Sequence, residues 1–360
     1  MNTTSPTQGL ATPVIRQRIE SIDIIRAISV MAILLVNIGA YYTKTSPGHH
    51  PAPVTSAVDT WSGRLVDLLV LDKFHLIFAF LFGVSAAIQF GNMSRRGKFW
   101  APYLRRMAIL LVFGLANAFL LHAPDVLTLY AINGALLALL FRAPQGVLLT
   151  IGLVVGLGGD LGTTTVALTD HYAGTGMGQM SWLASAVAVQ SFGHTVLGCW
   201  ALRAGLLTDE RRLPVVRALF AATAVGTVAL WAWTLSLTDG NLAHVLEANL
   251  AIVPAVAYLS GLVLLLRSAR LRAALLPLQR YGRMALTSYL THAILGLVVV
   301  GALASAWTIP SSVLLLLCVP IWLIQLVFSH VWLSRFAYGP FEWLWRAGTY
   351  LSRPAPKPRN

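Results

Sequence analysis

Charge is scarce in this chain, and negative charge is the scarcest part of it. Asp, Glu, Lys and Arg together make up 11% of 360 residues, with 13 acidic side chains against 26 basic ones. So thin a charged fraction excludes a solvated, disordered chain, which needs low hydrophobicity and dense charge. Cysteine is nearly absent. Cys199 and Cys318 each lie in an apolar run without partners at metal-ligand spacing, so neither a disulfide framework nor a metal site is expected. No glycine-rich stretch ends in the G-K-[ST] of a phosphate loop; the glycines between 152 and 180 read as a linker, with a flexible lid as the alternative.

Hydrocarbon fills the space that charge leaves. Hydrophobic residues reach 57% and the mean hydropathy is +0.71. Ten apolar segments are each long enough for a bilayer core of about 30 Å: 22–42, 65–91, 104–121, 125–141, 146–167, 183–202, 214–236, 245–266, 284–304 and 311–333. The first 15 residues lack the basic stretch of a cleaved signal peptide, so the first run reads as a retained helix. The expected fold is an all-α, polytopic membrane bundle over 22–346, after an N-terminal segment 1–21 and before a basic tail 347–360. Arginines gather in alternate gaps, including Arg95, Arg106, Arg142, Arg212, Arg267, Arg272 and Arg283. The positive-inside rule then puts both termini in the cytoplasm. The net charge of +13 is a topology signal on this reading, so membrane lipids are expected as partners and nucleic acid is not.

Polar residues inside apolar runs are the candidate functional residues, because an ionisable group in a span is expensive. In the first run, Asp23 and Arg26 are one turn apart, and Asn37 returns to the same side about 16 Å further along. The second run is interrupted by Asp72, Lys73 and His75, which read either as structural ion pairs or as the lining of a polar cavity with His75 as a base. The turn HAPDVLTLYA sets His122 three residues from Asp125, with Tyr130 further in; it reads as a His–carboxylate dyad or as a turn with a helix start. The ninth run brings Ser288, Tyr289 and His292 to one patch. His194 and His330 read as structural.

Several stretches together resemble the bacterial YeiB-like membrane proteins with the domain of unknown function 418, within the wider superfamily of transmembrane acyltransferases. They are RIESIDIIRAISVMAILLVNI, DKFHLIFAFLFG, PDVLTLYAINGALL, YGRMALTSYLTHAILG and GPFEWLWR. The resemblance implies an enzyme that takes an acyl-CoA or acetyl-CoA at the cytoplasmic face as co-substrate and passes the acyl group to an extracytoplasmic hydroxyl or amine acceptor, a small molecule or a glycan. Asp23 and Arg26 match the first-helix motif on the CoA side, where Arg283 and other cytoplasmic arginines would join them. Acyltransferases of the acyltransferase-3 type carry a catalytic histidine where this chain has Asn37, and an amide cannot serve as a general base. Relatives similar to the lysosomal glucosaminide acetyltransferase also carry Val-Asn there and use a histidine of the following loop, which in this chain holds His49 and His50. The base is therefore expected among His75, His122, His292 and the His49–His50 pair. Two other expectations stand beside this one: a transporter or flippase with the histidines as proton relays, and assembly as a homodimer.

Overall fold

The computed structural model describes residues 13–354 apart from 47, 49, 95, 96, 98, 122, 123 and 174–180. All regular structure among the described residues is helical: α1 (Pro13–Thr45), α2 (Ala57–Leu69), α3 (Lys73–Ser94), α4 (Trp100–Leu120), α5 (Leu127–Leu140), α6 (Gln145–Ala173), α7 (Ser181–Arg203), α8 (Leu213–Ser236), α9 (Gly240–Asn249), α10 (Ile252–Leu265), α11 (Ala269–Arg283), α12 (Ala285–Ala304), α13 (Ser311–Leu316), α14 (Cys318–Arg335) and α15 (Pro340–Tyr350). Among the described residues, six stretches are long and apolar enough to cross a membrane: Glu20–Thr45, Trp100–Leu120, Gln145–Thr169, Glu210–Ser236, Ala285–Ala304 and Ser311–Arg335. The pair α9–α10, bent by 47°, adds a seventh when taken as one span.

This differs from ten spans, and the differences have local causes. The expected segment 65–91 is broken, because α2 stops at Leu69 and α3 starts at Lys73, with Asp72 at φ +60 between them. The segment 125–141 folds as α5, whose 14 residues reach only about 21 Å. The arginine-rich gap 267–283 is itself a helix, α11, whose arginines interrupt leucines on an amphipathic surface. The last motif folds likewise as α15, started by Pro340 in its first turn.

Without a hydrophobic drive between helices in lipid, close approach depends on small residues. A Cβ on Gly83 would overlap the carbonyl oxygen of Thr195, and one on Gly198 would overlap that of Phe80, so α3 and α7 cross backbone to backbone. A Cβ on Gly282 would overlap the carbonyl oxygen of Asp23, which presses the end of α11 onto the start of α1. The buried core around α1, α3, α5 and α12 includes Val30, Ile33, Ala79, Tyr130, Tyr281 and Tyr289.

The start of α1, the end of α3, the start of α4 and the α11–α12 junction share one end of the bundle, here called the arginine end. At the far end Asp59 ties two loops together. Its Oδ1 accepts the Ser312 N–H at 2.9 Å and hydroxyl at 2.6 Å, and its Oδ2 accepts the Thr55 N–H and hydroxyl and the Ser56 hydroxyl, each at 2.9 Å. Those bonds, from Ser312 first, hold the Asp59 carboxyl well below the usual carboxylate range.

Candidate anion-binding cavity at the arginine end

A cavity of about 330 Å³ opens at this end, and three arginines line it: Arg26, Arg106 and Arg283. Arg26 is aimed by both edges of its guanidinium. Nη1 donates to Asp23 Oδ1 at 2.6 Å, one turn back on α1, and Nη2 donates to Ser85 Oγ on α3 at 2.9 Å. Arg106 lies flat against Trp345 of α15, 3.4 Å above the ring, while Trp345 Nε1 donates to the Arg106 carbonyl at 2.7 Å. Arg283 Nη2 donates to the Ala337 carbonyl at 3.2 Å.

Two buried polar atoms of the lining, Arg106 Nε and Gln89 Oε1, have no hydrogen-bond partner among the described residues. Such atoms cost free energy unless something pairs with them. The carboxyl that shares the cavity is Glu342. It accepts the N–H groups of Leu286 and Thr287 at 2.8 and 3.0 Å and the Thr287 hydroxyl at 2.5 Å, capping α12 from α15. Burial pushes the Glu342 carboxyl up, against the pull of its Thr287 bonds. Three guanidiniums, that of Arg26 already paired with Asp23, thus share the cavity with one capped carboxyl, and Arg106 Nε is left to spare.

Phe78, Phe82, Tyr130 and Tyr289 also line the cavity. On α3, Phe78, Phe82, Ser85 and Gln89 line it, and His75 stands one turn beyond Phe78 on the same face, about 21 Å from Gln89 along the axis. Tyr130 joins the two regions: its ring stacks on Phe82 at 5.5 Å, and its hydroxyl donates to the His75 carbonyl at 3.3 Å. Tyr289 donates to the Pro124 carbonyl at 2.9 Å and accepts the Val126 N–H at 3.2 Å, which ties α12 to the 124–126 turn.

Other expected site residues have different company. Asp125 caps α5, accepting the N–H groups of Leu127 and Thr128 at 3.0 Å. His122 and His49 lie outside the described residues, and His50 is exposed. Asn37 is buried on α1 and engages Tyr41. His292 faces Tyr281. Gln325 donates through Nε2 to the Ser288 carbonyl and to Thr291 Oγ1, so its Oε1 accepts the Tyr281 hydroxyl proton at 2.8 Å. The Tyr281 oxygen then accepts Nε2–H of His292 at 2.9 Å, and Nδ1, buried and unpartnered among the described residues, carries the free lone pair. Lys73, 1% exposed, donates to the carbonyls of Asp67 at 2.6 Å and Glu247 at 3.4 Å, near the ends of α2 and α9. Arg64 pairs with Glu247 at 2.6 Å, and His244 with Asp67 at 3.3 Å.

Arg26, Arg283, Tyr130 and Tyr289 were thus legible as candidates and do share a cavity. Sequence reasoning missed Ser85, Gln89 and the placing of Arg106, which counted only as a topology signal. Their one trace in the sequence is periodicity: Ser85 and Gln89 continue the face that carries His75. It also missed a buried pair at mid-helix, His194 with Asp160 at 3.1 Å, because the partners are on different helices.

The fold and the cavity define a helical membrane protein with a basic internal site, and comparison with known proteins agrees at the family level. Residues 201–352 match the family described as "Protein of unknown function (DUF418)". The uncharacterized protein YxaH of Bacillus subtilis is 26% identical over 93% of this chain and 95% of its own length. The uncharacterized protein YeiB of Escherichia coli is 26% identical over 92% and 96%, and an uncharacterized 39.9 kDa protein of Bacillus acidopullulyticus is 29% identical over 93% and 94%. The family match over the C-terminal part and the similarity to YxaH and YeiB over nearly the whole chain support a YeiB-like DUF418 family. No solved structure matches it.

Proposed function

We propose that this protein is an inner-membrane acyltransferase that holds the phosphates of an acyl-CoA in the arginine-lined cavity and passes the acyl group to an acceptor at the far end. The observation that carries the reading is the convergence of Arg26, Arg106 and Arg283 on one cavity with a guanidinium Nε left unpaired. Guanidinium forks suit phosphate oxygens in geometry as well as charge. His75 is the described histidine on the cavity-lining face of α3, so it is assigned as the base. It takes the proton of an acceptor hydroxyl or amine, the acceptor attacks the thioester carbonyl, and CoA leaves as a thiolate that picks up a proton.

Radiolabelled acyl-CoA incubated with purified protein and envelope extract tests this. Transfer of label is expected, with Arg26→Gln weakening CoA binding and His75→Ala abolishing turnover while binding remains. A folded protein that neither binds CoA nor transfers label overturns the reading. A transporter or flippase is the second reading, favoured by the buried His194–Asp160 pair and the bend between α9 and α10. It requires movement of an unmodified solute across vesicles and no transfer.

A further inference from the structure

Two more cavities adjoin each other across a shared wall of Leu207, Leu259 and Val263. The first, about 170 Å³, is at the arginine end, where Ser21, Glu210, Arg267 and Arg272 supply polar lining. The second, about 380 Å³, runs between α3, α6, α7, α8 and α10, and its wall is carbon throughout. Among its polar lining residues, His194 Nε2 pairs with Asp160 Oδ1 at 3.3 Å and Ser260 Oγ donates to the Val256 carbonyl at 2.6 Å. A ligand there meets hydrocarbon only. One step away, Arg267 and Arg272 line the polar cavity together with the exposed Glu210, and Arg272 Nη1 donates to the Leu266 carbonyl at 3.4 Å.

From this succession we infer that the two cavities form one binding site for an anionic membrane phospholipid, with its headgroup phosphate at Arg267 and Arg272 and an acyl chain in the apolar cavity. The charge complement selects the head, since basic pockets beside spans favour anionic headgroups. The carbon wall selects the chain, since it offers nothing to a polar group and excludes water from an alkyl one. Neither Arg26 nor Arg106 takes part, so the site is independent of the proposed acyl transfer.

Native mass spectrometry of the delipidated full-length protein tests the inference, with added phosphatidylglycerol against phosphatidylcholine of the same chains. Phosphatidylglycerol should be retained about tenfold better or more, since each arginine near a headgroup contributes on the order of 1 kcal/mol. Arg267→Gln with Arg272→Gln should erase the preference. Val215→Trp, at an exposed position on the apolar wall, should reduce retention of long-chain lipid, and the unmodified protein should hold short-chain phosphatidylglycerol poorly. Equal retention of the two headgroups, a preference that survives the double variant, indifference to chain length, or preferential retention of a free fatty acid or acyl-CoA overturns it.

Discussion

The two ends of α3 carry similar residue types and use them differently. At the far end Lys73, Arg64, Glu247 and the helix carbonyls pair off, and the long cationic chains are spent on protein. At the arginine end Arg26 is held by Asp23 and Ser85 and Arg283 by one carbonyl, while Arg106 is pinned by the Trp345 ring and through its own backbone carbonyl with its Nε unused. A charged residue in a span is thus no single category. What separates a structural cation from a binding one is how many of its donors the protein consumes.

Variants can break that contrast, and the largest effect belongs at the far end. Arg64→Met leaves the 1%-exposed Glu247 without its cation and should cost about 3–5 kcal/mol, read as a drop in thermal unfolding temperature in detergent. A drop no larger than that of an exposed control would make the pair ornamental. Gly282→Val forces a side chain into the Asp23 carbonyl and should cost about 1–3 kcal/mol while loosening the Asp23–Arg26 turn, so both stability and anion affinity fall. Arg106→Gln sharpens the contrast from the other side. Unfolding should shift by only about 1 kcal/mol, the worth of the lost Trp345 contact, whereas affinity for pyrophosphate as a probe should fall about tenfold by calorimetry. Loss of stability with unchanged affinity would mean Arg106 is a structural cation after all.

The smallest effect is a pH dependence. Asp59 has a folded-state value below its ordinary 3.8, so its contribution is present above that pH and lost as pH falls beneath it. Asp59→Asn should lower the unfolding temperature at neutral pH, and its difference from the unmodified protein should shrink as the pH drops below 4. A difference constant with pH would remove the carboxylate from the account.

Composition and hydropathy made the all-helical class legible, because burial in lipid leaves a helix few alternatives. They could not register a turn such as the one at Asp72, or a helix as short as α5, because both lie within apolar runs. In the cavity, Arg26 was visible as a charge inside a span. Arg106 was not, since its position at a run boundary looks the same whether it faces headgroups or an interior, and only packing against Trp345 decides. His292 shows the reverse: a histidine among hydroxyls invites a catalytic reading, and its fixed Nε2–H on Tyr281 follows from Gln325, 33 residues later on another helix.

The cap that Glu342 places on α12 has a consequence for biosynthesis. The ribosome emits α15 after α1 to α14, yet Glu342 and Trp345 line the arginine-lined cavity and Glu342 fixes the start of α12. The nascent chain can insert its bundle in order, but the cavity lacks the lining that α15 supplies until that helix has left the exit tunnel. A chain that stops after Arg335 therefore keeps the three arginines and loses the wall that Glu342 and Trp345 supply.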